Sequence, residues 1–309
     1  MALQTVLDLP LTREATFQGS PAADPPSYAT QLLPGKDNNS RNSVQFVGNA
    51  TCILEIKGVR VMTDPNFLHQ GDHVHLGPGV TARRMHDPAF NLEECPPVDF
   101  ILLSHLHEDY FDLVVAEKLR RSIPIISTPH ATSGLANQGY THLITLDTWK
   151  SALITHDGIK KFTITSMPGK HTIGVFNEMV EVMDAIPPVM GSLIELLDED
   201  NKVEFTIYIS GDTLFCEKLK DIHTKHPHID LCLLHLGGTT IPVINVMVTM
   251  DAVQGINLLH VVNPDTTIPV HFDDYDAFLS PLEDFKKLVE KEGWSDRVIY
   301  LDRGETYRF

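Results

Sequence analysis

Apolar residues fall in short blocks along the chain, and their spacing sets the first expectations. Val44 to Val47, Thr51 to Ile56 and Val59 to Thr63 are β-type runs, the last two joined by Lys57 and Gly58 as in a hairpin. A polar stretch from Pro65 to Pro97 precedes Phe100 to Leu103, whose unbroken apolar character predicts a strand buried on both faces. Asp112 is placed to cap a helix running to about Arg121, followed by a strand at Ile123 to Ile126 and a helix at His130 to Gln138. Further strands are predicted at Ala152 to Thr155, Phe162 to Ser166, Ser192 to Leu197, Phe205 to Ser210, Leu231 to Leu234, Thr267 to Val270 and Val298 to Leu301. Helices are predicted near Phe215 to Thr224, Asp251 to His260 and Pro281 to Glu290. Each half runs from β-rich to β/α alternation, which predicts an α/β fold of two mixed sheets packed face to face with helices outside.

Residues 1–42 break this pattern. Pro10, Pro21, Pro25, Pro26 and Pro34, with the polar run Lys36 to Ser40, predict an arm without regular structure that packs on the domain or covers its mouth. The domain proper is expected over residues 43–309.

Composition narrows the functional classes. The 24 Lys and Arg against 41 Asp and Glu give a net charge of −17, so the mean field repels polyanions and nucleic acid is not an expected partner. The basic pairs Arg83 and Arg84, Arg120 and Arg121, Lys160 and Lys161, and Lys286 and Lys287 carry no interleaved aromatics and are read as solvated surface. Cys52, Cys95, Cys216 and Cys232 lack metal-ribbon spacing and read as separate thiols of a reducing compartment, with Cys52 and Cys232 in the core. Without a signal-like start or the ~20 apolar residues a bilayer span needs, a soluble cytoplasmic protein with no membrane partner is expected. The sequence leaves a homo-oligomer open.

The chemistry concentrates in Ser104, His105, Leu106, His107, Glu108, Asp109 and Tyr110, directly after a buried strand and before a helix. Two histidines at i and i+2 face one side of an extended segment, and a carboxylate two residues on reaches back as the chain turns. Imidazole with carboxylate suits zinc, and also iron or manganese. An isolated pair of this kind is more often a satisfied strand end. Three further strands, however, run into loops tipped by His171, Asp212 and His271. Four such tips would gather buried ligand-type groups to no advantage without a cation.

Together, Asp64, His105, His107, Asp109, His171, Asp212 and His271 stand in an order that resembles the five motifs of the metallo-β-lactamase superfamily. The resemblance runs from about residue 44 to the C-terminus. Leu234 to Thr239, Val248 to Asp251 and Pro269 to Tyr275 look most like the branch related to ascorbate-phosphate lactonases and phospholipase D-type members. It implies a four-layer αβ/βα sandwich in which His105, His107 and His171 hold one Zn2+, Asp109 and His271 hold a second, Asp212 bridges, and Asp64 supports the site from beneath. Mn2+ and Fe2+ are the alternative ions. The family places a histidine after the aspartate of its second motif, and this chain has Tyr110. A neutral phenol is a poor donor, so one tight and one weaker ion are expected.

Such a centre activates water and stabilises developing charge, which fits the lack of a Gly-x-Ser-x-Gly nucleophile elbow. Asp109 would orient the water, Tyr110 would donate to substrate or an oxyanion or else pack as a plain aromatic, and His235 is the best further candidate for touching substrate. His73 and His75 are read as a rim loop, His130 as reaching the pocket or capping its helix, and His223, His226 and His228 as surface. Asp251, Asp273 and Asp274 either orient ligating imidazoles or cap and turn the chain. The expected substrate is a small lactone or lactam. The alternatives are a small or lipid phosphodiester and, in another class, an iron-dependent sulfur dioxygenase.

Overall fold

The strands of the first half are buried on both faces. The protein is described by a computed structural model covering residues 5–10, 12–25, 31–33, 40–76, 81–171, 186–241 and 246–309. Leu54, Ile56, Val61, Phe100 and Leu102 join one buried cluster, while Ile53, Met62, Ile101 and Leu103 join another on the opposite face. Successive strand side chains point to opposite faces, so a strand apolar on both must be covered on both. One cover is a second sheet and the other a pair of helices.

The first sheet has the order Leu143–Thr145, Ile125–Ser127, Phe100–Leu102, Val59–Thr63, Thr51–Ile56, Ser43–Gly48, Glu305–Arg308, Gln31–Leu33. The second has the order Thr5–Leu9, Ser151–His156, Ile159–Met167, Gly191–Leu197, Val203–Ile209, Leu231–His235, Thr266–Val270. Both mix parallel and antiparallel pairs. Leu54 and Phe100 from one sheet and Ile154, Phe162 and Ile194 from the other share a single core cluster, which places the two sheets face to face. Helices α1 (Leu113–Lys118) and α2 (Pro129–Asn137) cover the first sheet, with Val115, Ala131 and Leu135 in the outer cluster. Helices α3 (Lys220–Lys225), α4 (Ala252–Val262) and α5 (Leu282–Lys291) flank the second. The expected four-layer αβ/βα sandwich is the observed architecture.

The capping signals act as the sequence implies. Asp112 accepts from the Val115 N–H at the start of α1, Thr128 from the Ala131 N–H at α2, and Asp251 from the Gln254 N–H at α4.

Several expectations are corrected. Val298 to Leu301 is not a strand: Ile299 donates one backbone bond to Thr267 at 2.9 Å, and the last strand is Glu305–Arg308, paired antiparallel with Ser43–Gly48. Val298 and Leu301 of the first segment are buried, but its backbone finds only that edge to pair with. The region before residue 43 does contain regular structure, since Thr5–Leu9 pairs in parallel with Ser151–His156 and buries Leu7 and Leu9. Its alternation needed a partner strand far along the chain to become a strand. His73–His75 is likewise a strand, paired with Thr81–Arg83, because Val74 and Ala82 bury one face of that hairpin.

Candidate metal centre

Every residue of the site lies at the carboxyl end of a strand, where an α/β sheet leaves its loops free to carry function. Asp64 follows Val59–Thr63 and the His105 loop follows Phe100–Leu102, two parallel neighbours. Asp212, His235 and His271 end three adjacent parallel strands of the other sheet, and His171 follows Ile159–Met167. Face-to-face packing brings the two sets of strand ends together. One ligand atom from each of His105, His107 and His171 lies within 4.8 Å of the others. Asp212 Oδ2 is 3.4 Å from His171 Nε2, and Asp109 Oδ2 is 3.4 Å from His271 Nε2.

The hydrogen bonds behind the imidazoles set their tautomers. His171 Nδ1–H donates to the Val248 carbonyl at 2.9 Å and His271 Nδ1–H to the Leu236 carbonyl at 2.8 Å, since a carbonyl only accepts. The Ser104 hydroxyl donates to Asp64 Oδ1 at 2.9 Å, so its oxygen is free to accept from His105 Nδ1 at 3.0 Å. Asp64 therefore holds His105 through Ser104, as its supporting position implies. His105 and His171 each keep a lone pair on Nε2, and these two atoms face each other at 3.1 Å. Two lone pairs at that distance repel unless a cation lies against them. His107 Nδ1, Asp109 Oδ1 and Asp212 Oδ1 are also buried without a hydrogen-bond partner among the described residues. These donors fit a divalent ion.

Electrostatics favour the ligand forms of His105, His107 and Asp109. Burial, then the neighbouring His171, His107 and His271, hold His105 neutral far below the usual imidazole range. Burial likewise lowers His107, against the pull of Asp109. For His271 burial is outweighed by its bond to Asp109 and by the charge of Asp212, and the balance is upward. Asp109 is drawn down by His271 and His107 despite burial, which keeps it a carboxylate. For Asp64, burial outweighs the two Ser104 bonds and the charge of His271 and pushes it up to about 7.

Tyr110 is fully buried inside this group. Its ring centre lies 4.3 Å from His105 and 5.0 Å from His271, and its hydroxyl has no hydrogen-bond partner among the described residues. Burial, with the charges of Asp212, Asp109 and Asp64, holds the phenol protonated well above its ordinary range. His235 is 1% exposed, with Nε2 3.9 Å from Asp64 Oδ2 and Nδ1 3.2 Å from the Ser210 hydroxyl. Burial and His271 bring its pKa down to about 3.

The remaining candidates separate. His73 and His75 are exposed on their hairpin, which is tied to the centre where the His75 N–H donates to Glu108 Oε2 at 2.7 Å. His130 lies in the first turn of α2, and His228 is an exposed partner of Asp230. Asp251 caps α4, Asp273 pairs with Arg303, and Asp274 accepts from the Asn49 N–H beside the centre. Arg84, read as surface, is 0% exposed. Arg84, Asn49 and Asn66 carried no ligand-type signal; Asn49 directly follows a strand and Asn66 lies three residues after one, which is the one feature that could have drawn attention to them.

No helix of the described residues is long and apolar enough to cross a membrane. The fold and the histidine cluster support a metal-dependent hydrolase, with a divalent ion as cofactor. A metal-dependent hydrolase of Staphylococcus carnosus is 27% identical over 271 residues, 86% of this chain and 99% of that protein. N-acyl-phosphatidylethanolamine-hydrolyzing phospholipase D 1 of Caenorhabditis elegans is 22% identical over 283 residues, 85% of this chain and 74% of its own length. Among solved structures, isothiocyanate hydrolase from Delia radicum gut bacteria superposes with a TM-score of 0.73 at 18% identity, covering 86% of this chain and 98% of that one. At that identity the likeness speaks for the fold alone. Residues 60–272 match the family described as beta-lactamase superfamily domain, a span running from the strand that delivers Asp64 through His271. The chain belongs to the beta-lactamase superfamily.

Proposed function

We propose that this protein opens a small lactone or lactam, with residues 43–309 as the hydrolase domain, residues 1–42 as an arm on it, and a cytoplasmic setting. His105, His107 and His171 would hold one Zn2+, Asp109 and His271 a second, weaker one, with Asp212 between them. The observation that carries this reading is the pair of facing imidazole lone pairs at 3.1 Å. When bound, zinc supplies Lewis acidity and a water that ionises near neutral pH.

The chain's own groups supply the rest. Asp109 Oδ1, buried 3.4 Å from His107 Nδ1 and outside hydrogen-bond geometry with it, would accept a hydrogen bond from the attacking water and orient it. The Tyr110 hydroxyl, held protonated, donates to the oxygen on which charge develops. His235 would belong to the floor of the site, with Nε2, which makes no hydrogen bond among the described residues, the atom that can turn to a substrate group.

Support for a neutral substrate comes from the surroundings. Phe278 packs 4.3 Å from the His271 ring, and Val248, whose carbonyl holds His171, joins Val74, Leu76 and Ile186 in an apolar cluster. The net charge of −17 disfavours polyanions. A lipid or small phosphodiester is the second reading, favoured by the similarity to the Caenorhabditis elegans phospholipase.

A screen of the zinc-loaded protein over lactones, lactams and phosphodiesters tests the assignment. Turnover of a lactone or lactam, lost together with bound zinc in His107→Ala, is expected. Turnover confined to phosphodiesters would replace the first reading by the second, and unaltered metal content in His107→Ala would remove the ligand set.

A further inference from the structure

Arg84 is the largest fully buried side chain of the described residues, and a guanidinium without water must be compensated by its neighbours. Its Nη2 pairs with Asp274 Oδ1 at 2.8 Å, its Nη1–H donates to Asn66 Oδ1 at 2.8 Å, and its Nε–H donates to the His86 carbonyl at 2.8 Å. Each of the first two partners grips backbone beside a proposed ligand. Asp274 Oδ2 accepts from the Asn49 N–H at 2.5 Å. Asn49 Nδ2 in turn donates to the Asp109 carbonyl at 2.6 Å, and the Asn49 carbonyl accepts from the His271 N–H at 2.9 Å. Asn66 Nδ2 donates to the Glu108 carbonyl at 3.3 Å and to the Tyr275 hydroxyl at 2.9 Å.

Asn49 and His271 sit at φ of 52° and 60°, in the left-handed region that non-glycine residues enter only when the surroundings hold them there. His105 and His171 are held by other means, through Ser104 with Asp64 and through the Val248 carbonyl. The geometry points to Arg84 as a positioning residue for the second metal: through Asp274, Asn49 and Asn66 it sets where Asp109 and His271 stand, and leaves the three-histidine site alone. This inference rests on the metal reading given above.

Two variants separate it from a general role in stability. Arg84→Lys keeps a charge near Asp274 but loses the fork to Asn66 and His86, while Arg303, 3.0 Å from Asp274 Oδ2, still pairs that carboxylate. Asn49→Gly suits the left-handed backbone and deletes only the side-chain bond to Asp109. Arg60→Met is the control, since Arg60 is also buried but pairs with Asp24 and Glu55 away from the centre. Zinc-free full-length proteins are titrated with zinc against a chromophoric chelator, with cobalt spectra reporting each site and thermal melting reporting the fold.

Arg84→Lys and Asn49→Gly are expected to weaken the second equivalent about 10- to 100-fold and to leave the first within about twofold. Arg60→Met is expected to lower the melting temperature with both equivalents unchanged. Loss of both equivalents together, an unchanged second equivalent, or the same effect from Arg60→Met would overturn the role of Arg84. An unaltered protein that binds a single equivalent at saturating zinc overturns it too and leaves the three-histidine site standing. Failure to bind any zinc removes the metal reading itself.

Discussion

Tyr110 stands where the family carries a histidine, and its surroundings make the consequence local. The phenol is buried, kept protonated by burial and by Asp212, Asp109 and Asp64, and lies between the rings of His105 and His271. A protonated phenol gives a metal little, so in the proposed centre Asp109, Asp212 and His271 would be left to hold a second ion. Tyr110→His restores an imidazole and is expected to tighten the second zinc equivalent about tenfold or more with the first unchanged. Counting bound equivalents in a zinc titration of both proteins decides it, and two equally tight ions in the unaltered chain would contradict it. The departure at Tyr110 was plain in the sequence; its full burial was not, because that depends on which strand ends surround it. Arg84 is the converse case, a residue whose type suggests solvent and whose partners Asp274 and Asn66 lie far from it or across a loop.

Helix α1 shows how far local signals reach at the scale of an element. Asp112 was legible as its cap, and Asp112 Oδ1 accepts from the Val115 N–H at 2.8 Å. The carboxylate does more than cap, because Oδ2 accepts from the Phe67 N–H at 2.6 Å and so ties α1 to the loop after Asp64. Asp112→Ala therefore removes a cap, worth about 1 kcal/mol, and leaves a buried N–H unpaired, at about 1–3 kcal/mol. A destabilisation of about 2–4 kcal/mol by urea unfolding is expected; a loss below about 1 kcal/mol would mean that the Phe67 bond is replaced by water. The helix ends at Lys118, short of the expected Arg121, and the reason is tertiary. Phe17 bridges to Leu119, the Gln18 N–H donates to the Lys118 carbonyl, and the Arg120 N–H donates to Thr16, so the N-terminal segment draws the chain out of helical geometry.

For the whole molecule, the candidate centre is where the two sheets meet. The first sheet delivers Asp64, His105, His107 and Asp109, and the second delivers His171, Asp212 and His271. An ion bound by donors from both exists only in the folded chain, so binding adds about 4 kcal/mol of stability at a free concentration 1,000 times Kd. Removing zinc with a chelator is expected to lower the melting temperature by several degrees, and adding it back to restore it, as calorimetry would measure. An unchanged melting temperature would count against metal in the site.

What the sequence by itself determined was set by local physics. Short apolar runs gave the strands of the first sheet, Asp112 and Asp251 gave helix starts, and strand ends tipped with His105, His107, His171, Asp212 and His271 gave the candidate donors. Tertiary structure alone decided what depends on non-local partners. Thr5–Leu9 became a strand because Ser151–His156 offered it an edge, and Val298 to Leu301 did not because only Thr267 did. The tautomers of His105, His171 and His271 depend on Ser104, the Val248 carbonyl and the Leu236 carbonyl, and Arg84 became the hub beneath Asp109 and His271. A hydrogen-bond partner or an opposing charge supplied by another strand end leaves no periodic trace in the segment that receives it, so such partners become visible only when the two sheets are packed together.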